Sequence, residues 1–586
     1  MAVSDSLASD PRGMDQPSIR MGSWFTIEKA AYAAIALLAL VVRFAGLGQR
    51  PMGLEEAVQA AAALDLVQGS QLDPVTAISP LLLNLQYLGF GIMEASEGLA
   101  RFWPALVGTL LVLLPYGLRR ELGRTGALVS SLLLAFSSSL VFWSRSGTGV
   151  SVALFAAMAL IVGLAGWRRD RARHWMVWNA AALALMLLSA PVGYAALFLI
   201  LPYALLALGR SDGRKPGDSL FGPGLSTAVL VGVLILFLGA TGLFFNPAGL
   251  GILADLPVGF LQGFVEPGGY HPLWLLVQWI KMEPLVVLLG LAGLVFGLRK
   301  RNWIAVGLGL WLALGLMLVL VRPGRGPADL ALLSLVLALL GGPAVAAFFR
   351  SLNVEDLTVE AGVGLAAGIA ILGSLAIWVA EFSSVGGPSL QANPYLLSAI
   401  AAVGMLAALL MAYLVLYGQE VAKKLGISLV LFALMLLSLR GTFEMNHSQP
   451  GARWGSYEHT VGTTDGRNLT EYLFRLASQR GGDLRDLPVG LVVMPGNEAP
   501  ALLRWHVRTA DVQETTGVTG RNGEVLVSLD DQAMMTGQSL AGRSYRVSQT
   551  WRLDGIDDQG FWKWLLFGQS GPIQDEQRGI VWIPGK

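Results

Sequence analysis

The sequence predicts a mostly α-helical, polytopic membrane helix bundle of about thirteen transmembrane helices with a small C-terminal extracytoplasmic α/β domain. Three observations carry that expectation. First, 54% of the 586 residues are hydrophobic and only 14% charged, against about 25% charged in a soluble chain. Second, the apolar residues fall in runs long enough to cross a bilayer, which takes about 20 residues for about 30 Å of hydrocarbon. Third, from Gly441 onward charges of both signs appear and short β-type runs alternate with helical ones.

The elements follow in order. Residues 1–26 form a polar N-terminal tail, and residues 1–23 hold no apolar stretch ahead of a small-residue cleavage site, so the first span reads as a retained anchor. The spans are expected near 27–47, 99–118, 126–143, 149–167, 174–190, 191–209, 222–245, 272–298, 303–322, 328–349, 361–381, 395–417 and 425–440. The stretch 174–209 divides at SAPVGY, where Pro191 and Gly193 permit a turn. GLGLWLALG (307–315) reads as glycine spacing for close helix packing. Residues 27–440 thus make one membrane domain, with a long loop at 48–98 and another at 246–271. In the tail, 441–586, NLTEYLFRLASQR (468–480) has the helical period, with Leu469, Leu473, Leu476 and Ala477 on one face. VGLVVMP (489–495), EVLVSL (524–529), YRVSQTW (545–551) and GIVWIP (579–584) read as strands. RWHVR (504–508) reads as strand packing, and Trp562 and Trp564 as an interfacial aromatic belt.

Basic loops set the orientation. Arg119, Arg120 and Arg124 share a side with WRRDRAR (167–173), GRSDGRK (209–215), RKR (299–301), Arg350 and Lys423-Lys424. Positive loops stay cytoplasmic, so the N-terminus is expected inside and the tail outside, at the plasma membrane. The net charge of +1 gives no reason to invoke nucleic acid, and the absence of cysteine excludes disulfides, thiolate metal sites and cysteine nucleophiles. No Walker loop, HExxH pair, GxSxG elbow or zinc spacing is present.

Polar residues gather on the opposite, outer side. Arg43 lies near the outer end of the first span, followed by Arg50, Glu55 and Glu56 in RPMGLEEAVQA. Arg101 opens the second span, Arg145 lies at the third-to-fourth turn, His271 and Glu283 flank the start of the eighth, and Arg322 and Arg325 close the ninth. Arginine forks suit phosphate, and a carboxylate can deprotonate a hydroxyl or hold a cation. The residue types alone leave a second reading open, because acidic residues also favour the first turn of any helix and terminal arginines snorkel to head groups.

RFAGLGQRPMGLEEAVQA, ARFWPALVGTLLVLLPYGLRREL and GALVSSLLLAFSSSLVFWSRSG, in that order, resemble the glycosyltransferase C superfamily, of the dolichyl-phosphate-mannose–protein mannosyltransferase type (family 39). They are most similar to flippase-activity-associated glycosyltransferase-like membrane proteins, as are YHPLWLLVQWIKMEPLVVLLGLAGL (270–294) and VRPGRGPADLALLSLVLALLGG (321–342). The resemblance covers about the first 350 residues. It implies transfer of a sugar from a polyprenyl-phosphate donor to an extracytoplasmic glycan, protein or lipid acceptor at the bilayer. It also implies that Glu55 and Glu56 serve as base or as ligands of a divalent cation (Mg or Mn). Arg50, His271, Arg322 and Arg325 would bind the donor phosphate, with Arg43, Arg101 and Arg145 bracing the carboxylates. The sequence departs from the family in having Glu55 where Asp is usual and SGTGVS, with Thr148 and Val150, where a second acid is common; the lysine often found between spans five and six is also missing from SAPVGY. Those departures keep an alternative in view, a non-catalytic protein that binds or helps translocate lipid-linked glycans.

Overall fold

A computed structural model describes residues 26–69, 78–209, 224–268, 270–351, 359–384, 394–447, 457–458, 460–493, 500–515, 524–529, 540–551, 561, 564–565 and 573–584. Among them the first helix, α1 (Ile27–Phe44), is followed by α2 (Leu54–Val67) and α3 (Pro80–Ile92), which lie in the long first loop. Then come α4 (Glu97–Leu111), α5 (Arg124–Phe136), α6 (Ser138–Ser144), α7 (Val150–Asp170), α8 (Arg173–Leu187) and α9 (Pro191–Gly209). The bundle continues with α10 (Gly224–Thr241), α11 (Gly249–Gln262), α12 (Pro272–Met282), α13 (Pro284–Arg299), α14 (Trp303–Val321) and α15 (Pro327–Ser351). Three long helices close it: α16 (Val359–Ser384), α17 (Pro394–Tyr417) and α18 (Gln419–His447).

Among the described residues nine helices are long and apolar enough to cross a membrane, or eleven when two bent pairs each count as one span. The remaining two expected spans exist as helices but fall short on length or charge. α8 has only 15 residues, and α1 packs Glu28, Lys29 and Arg43 into 18. The bent pairs are α5–α6, at 60°, and α12–α13, at 95°. Both breaks follow from local chemistry: Ser137 caps α6 through Leu140 N, and Pro284 opens α13 where the chain cannot continue the helix of α12. Glu283 ties the two breaks together, accepting from Ser137 Oγ at 2.5 Å and from Ser139 N at 2.6 Å.

At the centre stand α7 and α15, apolar all round and enclosed on nearly every side, as expected of helices surrounded by other helices. Small residues let their neighbours approach. A Cβ on Gly293 of α13 would lie 1.8 Å from Leu340 O of α15, and one on Gly342 would lie 2.2 Å from Gly126 O of α5. Gly307 and Gly315 of α14 do the same against Tyr203 and Leu333, the close packing expected of that glycine spacing.

The tail is a mixed six-stranded sheet, β1 (Thr460–Gly462), β2 (Pro488–Val492), β3 (Asp511–Thr515), β4 (Val525–Leu529), β5 (Leu540–Trp551) and β6 (Ile573–Pro584), in the order β1-β5-β6-β4-β2-β3. β2 pairs in parallel with β3 and β4, and the other pairs are antiparallel. Helix α19 (Thr464–Gln479) lays Leu469, Leu473 and Ala477 on the sheet. Three expectations need correction. The last span does not end at 440, because α18 runs on as a single helix to His447. RWHVR lies largely in a helix, α20 (Ala501–Val507), which makes the crossover between parallel strands β2 and β3. Trp564 is fully buried against α12, beneath Lys281 at 3.7 Å, rather than sitting in an interfacial belt; Trp562 lies outside the described residues.

The tail and the first loop share one hydrophobic core. Met52, Ala57, Ala60 and Ala63 of the loop pack in the same cluster as Leu469, Leu502, Trp505 and Val527 of the tail. Ion pairs lock the joint: Arg504 to Asp65 at 2.9 Å and Arg467 to Glu97 at 2.6 Å. The tail therefore sits over the end of the bundle that carries Glu55 and Glu56.

Candidate active site

The site is built on the turn between α1 and α2. Gly46 turns the chain in the left-handed region at φ 59°, where a side chain would be strained. The carbonyls left unsatisfied at the end of α1 are collected by Arg145, which donates to Val42, Arg43, Ala45 and Gly46 O at 2.8–3.1 Å. Arg101 performs the same task one turn later, donating to Leu47, Arg50 and Pro51 O. Two buried guanidiniums thus hold residues 42–51 in one shape.

That shape presents the N-terminus of α2. Glu56, fully buried, accepts four hydrogen bonds: from Arg50 at 2.8 Å and Gly147 N at 3.0 Å on Oε1, and from Arg101 at 2.6 Å and Gly53 N at 3.1 Å on Oε2. Burial works against its charge, but Arg101 and Arg50 outweigh that and hold the carboxyl down at about 2. Glu55 lies about 100° further round the helix. Its side chain is reached by solvent, and among the described residues no group donates a hydrogen bond to it. Crowding by protein raises its carboxyl above the usual range, with the charges of Glu56 and Asp329 adding to the effect. The two adjacent glutamates are therefore unlike, one locked and ionised, the other open and poised to take a proton.

Asp329, in the first turn of α15, brings a second wall to the site. It pairs with Arg322 at 3.4 Å and accepts from Gly326 N at 3.0 Å. Arg322 also donates to Phe260 O at 3.4 Å and lies over the Phe260 ring. Its charge is thus paired with that of Asp329. Arg325 donates to Tyr270 O at 3.0 Å and Leu320 O at 3.5 Å, and among the described residues it has no carboxylate partner. Its bond to Tyr270 brings it beside His271, which is exposed at the start of α12 and caps nothing. Arg50, paired to Glu56, lies over the Phe142 ring at 4.3 Å.

Of the expected bracing residues only Arg101 touches a carboxylate of the pair. Arg43 donates to Ala39, Leu134 and Ala135 O, so it stabilises the end of α5 before its break. Arg145 serves α1, as described. Both oxygens of Glu56 are filled by four donors, which leaves Glu55 as the open carboxylate of the pair expected to hold a divalent cation. Among the described residues no group of three His, Cys, Asp or Glu side chains could hold a metal.

Three residues of the site were missed in the sequence. Asp329 stands inside VRPGRGPADLALLSLVLALLGG, where an acid between two prolines and a span could have been noticed. Gly147, in the SRSG turn, acts through its backbone and has no side-chain signature. Glu458 comes from the tail: its carboxyl rests so closely on Gly53 that a Cβ there would lie 1.8 Å from its Oε2.

Comparison with known proteins agrees with this architecture. Residues 77–240 match the family profile described as dolichyl-phosphate-mannose-protein mannosyltransferase. A search of curated proteins returns no match. ArnT from Cupriavidus metallidurans bound to undecaprenyl phosphate is similar in structure at TM-score 0.54 and 16% identity, over 89% of this chain and 97% of that one. Its apo state gives 0.51 and 16%, over 95% and 98%. Aligned along nearly the whole length of that structure, the chain is a multi-pass membrane protein of the glycosyltransferase C fold.

Proposed function

We propose that the protein is a membrane glycosyltransferase that moves a sugar from a polyprenyl-phosphate-linked donor to an extracytoplasmic acceptor, with Glu55 as general base. The observation that carries this reading is the division of labour between adjacent carboxylates. Glu56 is fixed by Arg50, Arg101 and two backbone N–H groups, so it sets the position of the helix start. Glu55 is held by that helix start, reached by solvent and, among the described residues, left without a donor, which is what a base awaiting a substrate proton requires. A raised carboxyl also brings it closer to the working pH, where a general base is most effective.

In the reaction the acceptor hydroxyl attacks the anomeric carbon while Glu55 takes its proton. The new oxygen–carbon bond forms as the carbon–oxygen bond to phosphate breaks, and the polyprenyl phosphate leaves with the electron pair. Arg325 and His271 are the groups placed to receive that phosphate, since Arg322 is neutralised by Asp329 and Arg50 by Glu56. Orientation is supported by charge. Arg169 pairs with Glu121 at 3.3 Å and Arg168 lies over Trp303 at 4.4 Å, so three basic turns share the end opposite the site. Positive ends face the cytoplasm, which puts the site and the tail outside the plasma membrane and the N-terminus inside.

The test is sugar release from a radiolabelled polyprenyl-phosphate-hexose pool in membranes carrying the wild type, Glu55→Gln or Glu56→Gln. Glu55→Gln is expected to lose about 10²–10⁴-fold in rate at unchanged thermal stability, whereas Glu56→Gln loses stability as well. The second reading, a protein that handles lipid-linked glycans without transferring sugar, is favoured by the buried Thr148 and Val150 where relatives commonly carry a second acid. It would be chosen if all three proteins bind the lipid and none transfers sugar.

A further inference from the structure

α6 is a helix of seven residues, about 10 Å long, and it delivers three contacts to the site. Its Phe142 ring lies under the Arg50 guanidinium at 4.3 Å, and Arg50 in turn holds Glu56 at 2.8 Å. Arg145, at its end, collects the carbonyls of Val42, Arg43, Ala45 and Gly46. Two residues on, Gly147 N donates to Glu56 at 3.0 Å. The direction of α6 therefore decides where Glu56 sits, and with it the start of α2 and Glu55.

So short a helix has little stiffness of its own, and its first N–H groups have no partner within it. What meets those groups sets its direction. Ser137 Oγ accepts from Leu140 N at 3.3 Å. The buried Glu283, from the break between α12 and α13, accepts from Ser137 Oγ at 2.5 Å and from Ser139 N at 2.6 Å, both on Oε1. Beside it Ser138 Oγ donates to Met282 O at 2.9 Å. The 60° break and the 95° break thus share one junction. Glu283 also stands at the far end of α12 from His271, eleven helical residues away, or about 16 Å.

We propose that Glu283 is a positioning residue that sets the two halves of the site against each other. It joins α12, which begins at His271 beside Arg325, to α6, which fixes Glu56 and through it Glu55. The proposal rests on the reading of Glu55 as the base.

The two halves are held separately elsewhere, and that makes the junction decisive. Arg325 is fixed by Tyr270 O and Leu320 O, so loosening α6 leaves the phosphate-receiving half able to bind. What changes is the distance from base to reacting carbon, and a shift of about 1 Å there costs about 10²-fold in rate. Charge is not required of Glu283. Both bonds use one oxygen, so the amide oxygen of a glutamine in the same place accepts them equally.

The experiment uses the full-length protein in lipid nanodiscs and compares Glu283→Met, which has the length but no acceptor, with Glu283→Gln. Leu308→Ala, in the core of α14, controls for lost stability. In sugar transfer from a polyprenyl-phosphate-hexose, Glu283→Met is expected to lower kcat about 10²-fold at an unchanged KM for the donor. Glu283→Gln should recover most of that rate, and folded Leu308→Ala should keep it. Hydrogen–deuterium exchange on the same samples reads the site directly. Amides of residues 53–57 and 145–149 should exchange faster in Glu283→Met and at the wild-type pace in Glu283→Gln and Leu308→Ala. Wild-type exchange of both segments in Glu283→Met would overturn the proposal. So would equal damage in Glu283→Gln, equal loss of protection in Leu308→Ala, or a raised KM with kcat unchanged. If Glu283→Met does not fold, Ser137→Ala removes one of the two donors and should show the same pattern in smaller measure; its absence would overturn the proposal too. Should the wild type transfer no sugar, the transferase reading fails, while exchange at residues 53–57 still decides whether Glu283 positions α2.

Discussion

The bundle that carries the site and the three helices that follow it are similarly apolar in sequence, yet they are packed to different ends. In α7 and α15, 89% and 83% of the span is buried within the protein; in α16, α17 and α18 the share is 17% each. The difference lies in where small residues point. Gly293 and Gly342 bring neighbouring backbones into contact, whereas in the last helices Gly364 and Gly368 meet only side chains, those of Tyr413 and Leu429, and Gly362, Gly373 and Gly404 meet no atom within 4 Å among the described residues. An apolar run puts a helix in the membrane, but lipid is as apolar as leucine, so close packing decides whether it faces protein. The site needs the packed kind: its buried arginines are satisfied by backbone carbonyls, which must stay at fixed positions.

The contrast can be broken most forcefully at Arg101. Arg101→Ala strips Glu56 of one counter-charge and leaves three carbonyls without their donor, and removing one partner of a buried pair costs about 3–5 kcal/mol. Unfolding in detergent should register that loss, together with loss of sugar transfer. Lys423→Ala, in the exposed pair with Glu420 at the start of α18, should cost less than about 1 kcal/mol in the same assay. Equal losses would mean that the two regions are not held differently.

A core truncation sharpens the comparison. Leu335→Ala, fully enclosed in α15, is expected to cost about 2–5 kcal/mol. Acid should act on the site. The Glu56 carboxyl is depressed in the folded state, so its stabilisation is complete above the ordinary carboxyl value of about 4.5 and is lost as pH falls toward about 2. A thermal midpoint that declines over that window, and declines less in Glu56→Gln, would fit; identical profiles would remove Glu56 from the account. The smallest effect belongs to Leu416→Ala, at a position 72% exposed in α17, where a change within about 0.5 kcal/mol is expected.

Most of the fold was legible because a bilayer imposes a coarse rule. Long apolar runs became helices, and Pro191 and Pro284 stood where the chain turned or broke. The Glu55-Glu56 pair was visible too, since two acids just beyond an apolar run are conspicuous. Their difference was not, because adjacent helical residues look alike until it is known that Arg50, Arg101 and Gly147 converge on one of them. The RWHVR stretch misled for a related reason. A helix of seven residues of mixed character, Ala501–Val507, carries no period, and only the parallel pairing of β2 with β3 demands a crossover there.

By itself the sequence determined that the chain spans a membrane many times, where its loops fall, and that carboxylates and arginines collect at one end of its helices. Hydropathy and charge are properties of residue types, and the bilayer sorts residue types directly. Only the tertiary structure decided that Glu56 is locked while Glu55 is free, that Arg322 is neutralised by Asp329, and that Glu458 from the tail reaches the start of α2. Those facts depend on which donors meet which acceptors across the fold, and no local pattern encodes a contact made between the two ends of the chain.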